Sequence, residues 1–220
     1  MAKSFLFKSF LLIFSHQILL FELEPYENTY TENLGTGKVV EKLEEISDGI
    51  WKISSKAKHP LFAMNQESFF KIDNKKVILI SGFRNLDILG GLRKDYQAYK
   101  IYSIDNKKMM DYSYGKKKGS SEIPFNVFDN LTLQIQIKLN IPNEEKFKIN
   151  YIDKGSVKEK IFSRETKNIL FKSIEREIFE ITELRKDKRY FKFWVQKNLN
   201  QKTIKVFQGG RGFNIEWLLN

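Results

Sequence analysis

The chain of 220 residues contains no cysteine. That excludes disulfides, zinc–thiolate centres and thiol nucleophiles, and by itself fixes no compartment. Histidine is almost as scarce, with two residues, His16 and His59. His16 falls in the N-terminal segment, so His59 stands alone in the body. One histidine cannot build a multi-histidine metal site. A Ser-His-Asp arrangement would have to use it, and no nucleophile-elbow motif is present. His59 precedes Pro60 and reads as a turn residue. No metal and no cofactor is expected. Arginine is thin as well: the net charge of +11 rests on 31 lysines against 7 arginines. Phosphate and base recognition favour the planar, two-pronged guanidinium. The charge alone suits a polyanion, but a solvated lysine surface is the stronger reading, and nucleic acid is disfavoured as a partner. Lys116-Lys117-Lys118 before Gly119 reads as a charged loop.

Long hydrophobic runs are missing too. Residues 9–21 form the longest mostly apolar stretch, and His16 and Gln17 interrupt it, which makes a poor transmembrane helix. Lys3 and Lys8 precede it, giving the basic-then-apolar order of a secretory signal. No small-x-small cleavage site follows. Residues 1–21 are therefore read as a signal peptide or an uncleaved inner-membrane anchor, with a hydrophobic first helix of a cytosolic protein as the other reading. Export to the periplasm or cell envelope is the favoured expectation.

What the chain does have is apolar and aromatic residues spread over its whole length, 41% and 14% of the sequence. That supports one sizeable core, and residues 22–220 are expected to form a single β-rich domain. Strand-like segments at 38–46, 50–58, 69–72, 77–81, 96–104 and 109–114 are separated by polar turns, among them Asp73-Asn74-Lys75-Lys76 and Asp105-Asn106-Lys107-Lys108. Further candidates lie at 147–151, 157–162, 174–184, 190–195, 203–207 and 213–218. Helices long enough for βαβ units are lacking, so the expectation is mainly β: an antiparallel curved sheet or barrel-like domain of roughly ten strands. Gly35-Thr36-Gly37-Lys38 stops short of a phosphate loop, with Val39 where a hydroxyl residue belongs. Gly209-Gly210-Arg211-Gly212 reads as a hairpin loop.

Residues 131–141 are ambiguous. LTLQIQIKLNI alternates as a strand does, yet Asp129 is placed to cap a helix and Pro142 to end one. A helix here carries apolar residues on two opposite faces and must be buried on both.

Several segments in this order carry a resemblance: Tyr26 and Tyr30 in an opening strand, the Gly37-Lys38 turn, Gly91-Leu92, Val127-Phe128-Asp129-Asn130-Leu131-Thr132, and Phe193-Trp194-Val195. Across residues 26–219 the body resembles the bacterial exported proteins catalogued as domain of unknown function 3108. The resemblance implies a β-rich, barrel-like envelope protein with one helix after the Asp-x-Leu-Thr segment, and it implies no activity.

No catalytic residue is assigned. Asp129 is expected to be a structural helix cap, a role that asparagine fills about as well. The aromatic strand residues Trp51, Phe70, Tyr102 and Trp194 are either packed core or the lining of a cavity for an apolar ligand. The function this suggests is a non-enzymatic envelope protein that binds a lipid-like or amphipathic ligand. The alternatives are a packed structural or partner-binding protein, and a polyanion binder. Nothing in the sequence sets an oligomeric state.

Overall fold

The computed structural model describes residues 23–185, 190–197, 202–210 and 213–220. The N-terminal segment 1–21 and Arg211-Gly212 lie outside the described residues. The chain runs through β1 (Tyr26–Glu32), β2 (Lys38–Ser47), β3 (Ile50–His59), β4 (Phe62–Asp73), β5 (Lys76–Ile88), β6 (Arg93–Ile104), β7 (Lys107–Tyr114) and β8 (Lys117–Ile123). A helix, α1 (Asn130–Leu139), precedes β9 (Lys146–Asp153), β10 (Ser156–Phe171), β11 (Ile174–Leu184), β12 (Tyr190–Gln196), β13 (Thr203–Gly210) and β14 (Phe213–Leu219).

All fourteen strands join one antiparallel sheet in the order β8-β7-β6-β5-β4-β3-β2-β1-β14-β13-β12-β11-β10-β9. The count exceeds the ten or so expected from the sequence, for two reasons. The opening Tyr-rich segment is a full strand, and the lysine run read as a loop belongs largely to β8, an edge strand where lysine discourages further pairing. Several strands are also longer than their apolar stretches, because polar residues continue the ladder: β4 starts at Phe62 and β10 spans 16 residues. The tight turns are of the hairpin type that needs left-handed residues at both centres. Asn74 and Lys75 (φ 47° and 62°), then Asp105 and Asn106 (φ 48° and 61°), supply them. Bulges at Phe69/Phe70 and Trp194/Val195 sharpen the local twist.

The sheet curls into a barrel-like body that does not close. Strands β8 and β9 are its two edges and do not pair. Instead the β9 end tucks against the inner face of the β5–β8 end. Ile152 packs with Leu79, Tyr99, Ile101 and Met110, and the Lys154 amide donates to Gln97 Oε1 at 3.1 Å. The outer edge of β9 is covered by the approach to α1: Phe128 N–H donates to Asn150 O (3.0 Å), and Ile152 N–H donates to Phe128 O (2.8 Å).

Residues 130–139 are helical despite their strand-like alternation. The two apolar faces that a helix exposes here are both covered, because α1 lies inside the curl. Ile135, Ile137 and Leu139 pack into the same cluster as Leu43, Ile53, Phe70 and Phe193, while Leu131 and Leu133 face an interior space. Gln136 fastens the far end of the helix to the β4–β5 turn, accepting from Val77 N–H at 2.8 Å and donating to Lys75 O at 3.2 Å.

Candidate functional site

Strand parity sorts side chains into an inner and an outer set. The inner set near the second half of α1 is close-packed core. Nearer the first half of α1, the inner walls stand apart and enclose a cavity of about 630 Å³. Its wall is mostly apolar, with Ala57, Met64, Leu86, Phe162, Ile215 and Trp217 from widely separated strands, and Leu131 and Leu133 from the helix. Leu61 and Leu89, at the tips of the β3–β4 and β5–β6 hairpins, also line it and are each 50% exposed. The cavity therefore opens at that end of the curl. At the same mouth, His59 stacks on Phe62 (ring centroids 5.1 Å) and meets Trp217 edge-on (6.3 Å). The Leu61 amide donates to His59 Nδ1 at 3.1 Å. His59 is thus the last residue of β3, one before the turn where the sequence reading put it, and it braces an aromatic rim.

Charged groups interrupt the apolar wall in two places. Lys160 on β10 and Glu183 on β11 share the inner parity of Phe162 and Ile181, and with Arg185, just past the end of β11, they line the cavity. Glu183 is buried; Lys160 Nζ lies 3.3 Å and Arg185 Nε 2.7 Å from its Oε1. Lys160 also stands over the Tyr151 ring, 3.4 Å from its centroid. Burial lowers the Lys160 pKa, and Glu183 pulls the other way. Burial, with Asp129 adding to it, pushes the Tyr151 hydroxyl well above its usual range, and Arg84 opposes the rise. Arg84 lines the same cavity. Its Nη2 is 3.6 Å from Asp95 Oδ1, while its Nε is buried without a hydrogen-bond partner. Across the curl, Glu41 accepts from Tyr26 Oη at 2.9 Å, and Lys138 Nζ on α1 donates to that hydroxyl at 3.3 Å. Lys138 is buried, which depresses its pKa against the pull of Glu41.

Asp129 is the N-cap of α1, as the sequence suggests, and it is more than a cap. Its Oδ1 accepts from Leu131 N (3.1 Å), Thr132 N (2.8 Å) and Thr132 Oγ1 (2.7 Å). Its Oδ2 accepts from Ser68 Oγ on β4 and Tyr99 Oη on β6. The helix start is thereby bolted to the sheet. Asp129 does not line the cavity; Asn130 and Gln134 beside it do.

The four aromatic residues singled out in the sequence do not meet at the cavity, and none of them lines it. Phe70 is fully buried and Trp51 packs against the same cluster, facing inward in the close-packed half. Tyr102 points outward, 37% exposed, and its hydroxyl donates to Asp111 at 3.1 Å. Trp194 is also on the outer face, in a small cluster with Ile178 and Ile204, its Nε1–H donating to Glu180 at 3.0 Å. Trp217 is the tryptophan on the cavity wall. A signal for the polar wall groups did exist in the sequence. Glu41, Lys160 and Glu183 each stand two residues from an apolar inward residue (Leu43, Phe162, Ile181), which is the parity of the core.

Among the described residues no cluster of metal-ligating side chains occurs, and no helix is long and apolar enough to cross a membrane. No protein-family model matches the chain, and no curated protein matches it either. Among solved structures it is similar to the crystal structure of a β-barrel-like protein of domain of unknown function DUF1849 from Brucella abortus. The TM-score is 0.61 at 9% identity, over 90% of this chain and 97% of that one. At that identity the likeness shows the fold alone. The chain has a β-barrel-like fold.

Proposed function

We propose that the protein is a non-enzymatic carrier or receptor of the bacterial envelope that holds an amphipathic molecule inside its curled sheet. The observation that supports this reading is the open cavity of about 630 Å³ beside α1. Its size lies within the range of about 300–1,000 Å³ typical of small-molecule sites, and mostly apolar walls with a few convergent polar groups are their usual make-up. Export rests on the basic-then-apolar order of the N-terminal segment, and kinship with domain of unknown function 3108 on the segments that resemble it.

Two measurements test the proposal. Native mass spectrometry of the protein purified from its own envelope should show a bound small molecule, and Ala57→Phe should expel it. Ala57 is 2% exposed and lines the cavity, so a ring added there fills the space. An empty wild-type protein that also ignores added dodecyl-chain amphiphiles would leave a structural or partner-binding role. For export, a periplasm-active reporter fused after Glu24 should be active and the cleaved or anchored product found outside the cytoplasm. A reporter confined to the cytoplasm refutes the envelope assignment.

A further inference from the structure

The charges on the cavity wall specify which end of an amphiphile goes where. Lys160 and Arg185 both engage one carboxylate, Glu183, at 3.3 and 2.7 Å. Two cations on one buried anion carry a net positive charge, with Lys160 half-buried and Arg185 at the exposed end, and the group sits on the wall of a mostly apolar cavity. A cation beside an apolar wall with less than one anion to itself is a ready partner for a second carboxylate or phosphate. Arg84 lines the same cavity and reaches its carboxylate, Asp95, only at 3.6 Å. A guanidinium paired that loosely on a cavity wall has donors to offer an anion. Tyr151 ties the two sides together: its ring lies 3.4 Å under Lys160 Nζ, and its hydroxyl, kept protonated by burial, is a further donor. The apolar walls, Leu131 and Leu133 of α1 among them, offer nothing to an anion and everything to a chain.

We propose that the occupant is a single-chain amphiphile with an anionic head, a carboxylate or a phosphate monoester. The head lies among Arg84, Tyr151, Lys160 and Arg185, and the chain runs along the apolar walls beside α1. This rests on the cavity-binding reading above. The head supplies the second anion that the Lys160–Glu183–Arg185 group lacks and a closer anionic partner for the Arg84 guanidinium. Glu183 holds the two cations in place when the cavity is empty.

Four probes with a common charge or a common chain separate the possibilities in titrations of the full chain, followed by calorimetry and by Trp217 fluorescence. They are dodecanoate, dodecyl phosphate, dodecanol and inorganic phosphate, each below its aggregation limit. Dodecanoate or dodecyl phosphate should bind about tenfold or more tightly than dodecanol, the scale of one charge-assisted hydrogen bond. The tighter of the two anions identifies the head as carboxylate or phosphate. Lys160→Gln and Arg185→Gln should each remove most of that preference while leaving dodecanol affinity unchanged. Arg185 is partly exposed and is the safer variant should Lys160→Gln lower stability. Equal binding of dodecanol and both anions in the wild type overturns the head-group assignment and leaves the cavity reading intact. Inorganic phosphate binding as tightly as dodecyl phosphate overturns the amphiphile, because the chain then contributes nothing. Failure of all the dodecyl probes overturns both this inference and the function it rests on.

Discussion

Asparagine replaces aspartate at an ordinary helix cap with little loss, because one side-chain oxygen is all that the cap requires. At Asp129 that equivalence should fail. Both oxygens are in use, and every partner is a donor: two backbone N–H groups, Thr132 Oγ1, Ser68 Oγ and Tyr99 Oη. In Asp129→Asn the amide oxygen can keep the cap, which turns the NH2 group toward Ser68 and Tyr99. Ser68 is wholly buried and Tyr99 is 7% exposed, so neither hydroxyl can turn to water. The Tyr99 hydroxyl is held protonated, chiefly by burial and then by the Asp129 charge, so it needs an acceptor.

Hydrogen bonds to a charged group contribute about 1.5–3 kcal/mol each against about 0.5–1.5 for neutral ones. Two such exchanges put the cost of Asp129→Asn at about 2–3 kcal/mol. Asp129→Ala adds the lost cap, about 1 kcal/mol, and leaves the Ser68 and Tyr99 hydroxyls only each other as partners, for a total of about 3–5 kcal/mol. Urea unfolding followed by tryptophan fluorescence reads these as shifts in midpoint at constant slope. In a Tyr99→Phe background one of the two orphaned donors is gone, and the penalty for Asn should shrink by about 1 kcal/mol. An Asn variant within about 0.5 kcal/mol of the parent, with no coupling to Tyr99, would refute the claim that Asp129 bolts helix to sheet.

Gly82 lies on β5 under the Tyr99 ring, and a Cβ there would sit 2.8 Å from both Glu67 O and Tyr99 Cζ. Gly82→Ala should therefore cost about 1–3 kcal/mol by overpacking; an unchanged urea midpoint would contradict this. Lys138 has a pKa lowered by burial from 10.5, so the unfolded chain binds its proton more tightly than the folded one. Between the folded value and 10.5 this residue makes stability rise with pH, and below that window its burial cost is fully present. Lys138→Met should flatten that rise in a series of urea melts from neutral pH upward, and an identical profile for both proteins would exclude a buried charge there. Trp194 packs in an outer-face cluster and donates to Glu180, so Trp194→Ala should cost about 3–5 kcal/mol without changing amphiphile affinity. A loss of affinity at unchanged stability would place the ligand on the outer face instead.

Much of the sheet was legible because its strands alternate and its turns carry left-handed residues, as at Asn74-Lys75 and Asp105-Asn106. The edge strand β8 was not. KKGSSEI has almost no apolar parity, since a strand at the rim has little to bury. The helix shows the opposite failure of a local rule. LTLQIQIKL alternates like a strand, yet a helix enclosed by a curled sheet is buried all round and needs no single apolar face. Only the cap, the proline and the family resemblance favoured it over the pattern.

The cavity was illegible for a related reason. Aromatic content marks burial and says nothing about which face of a strand is meant. Phe193-Trp194-Val195 is apolar at every position, and the structure sends Phe193 and Val195 inward and Trp194 outward. The informative residues were the polar ones in the wrong place. A lysine, a glutamate or a glutamine at core parity, as at Lys160, Glu183, Glu41 and Gln66, costs stability wherever the core is solid. Some, such as Asp95, Gln97 and Lys108, are buried away from the cavity. Lys160, Glu183, Glu41 and Gln66 line the cavity, whereas the close-packed half beside Ile135 and Ile137 presents Leu43, Ile53 and Phe70 at the corresponding inward positions. On β2, β10 and β11, charge at inward parity, more than aromatic density, is thus the sequence feature that coincides with the cavity wall.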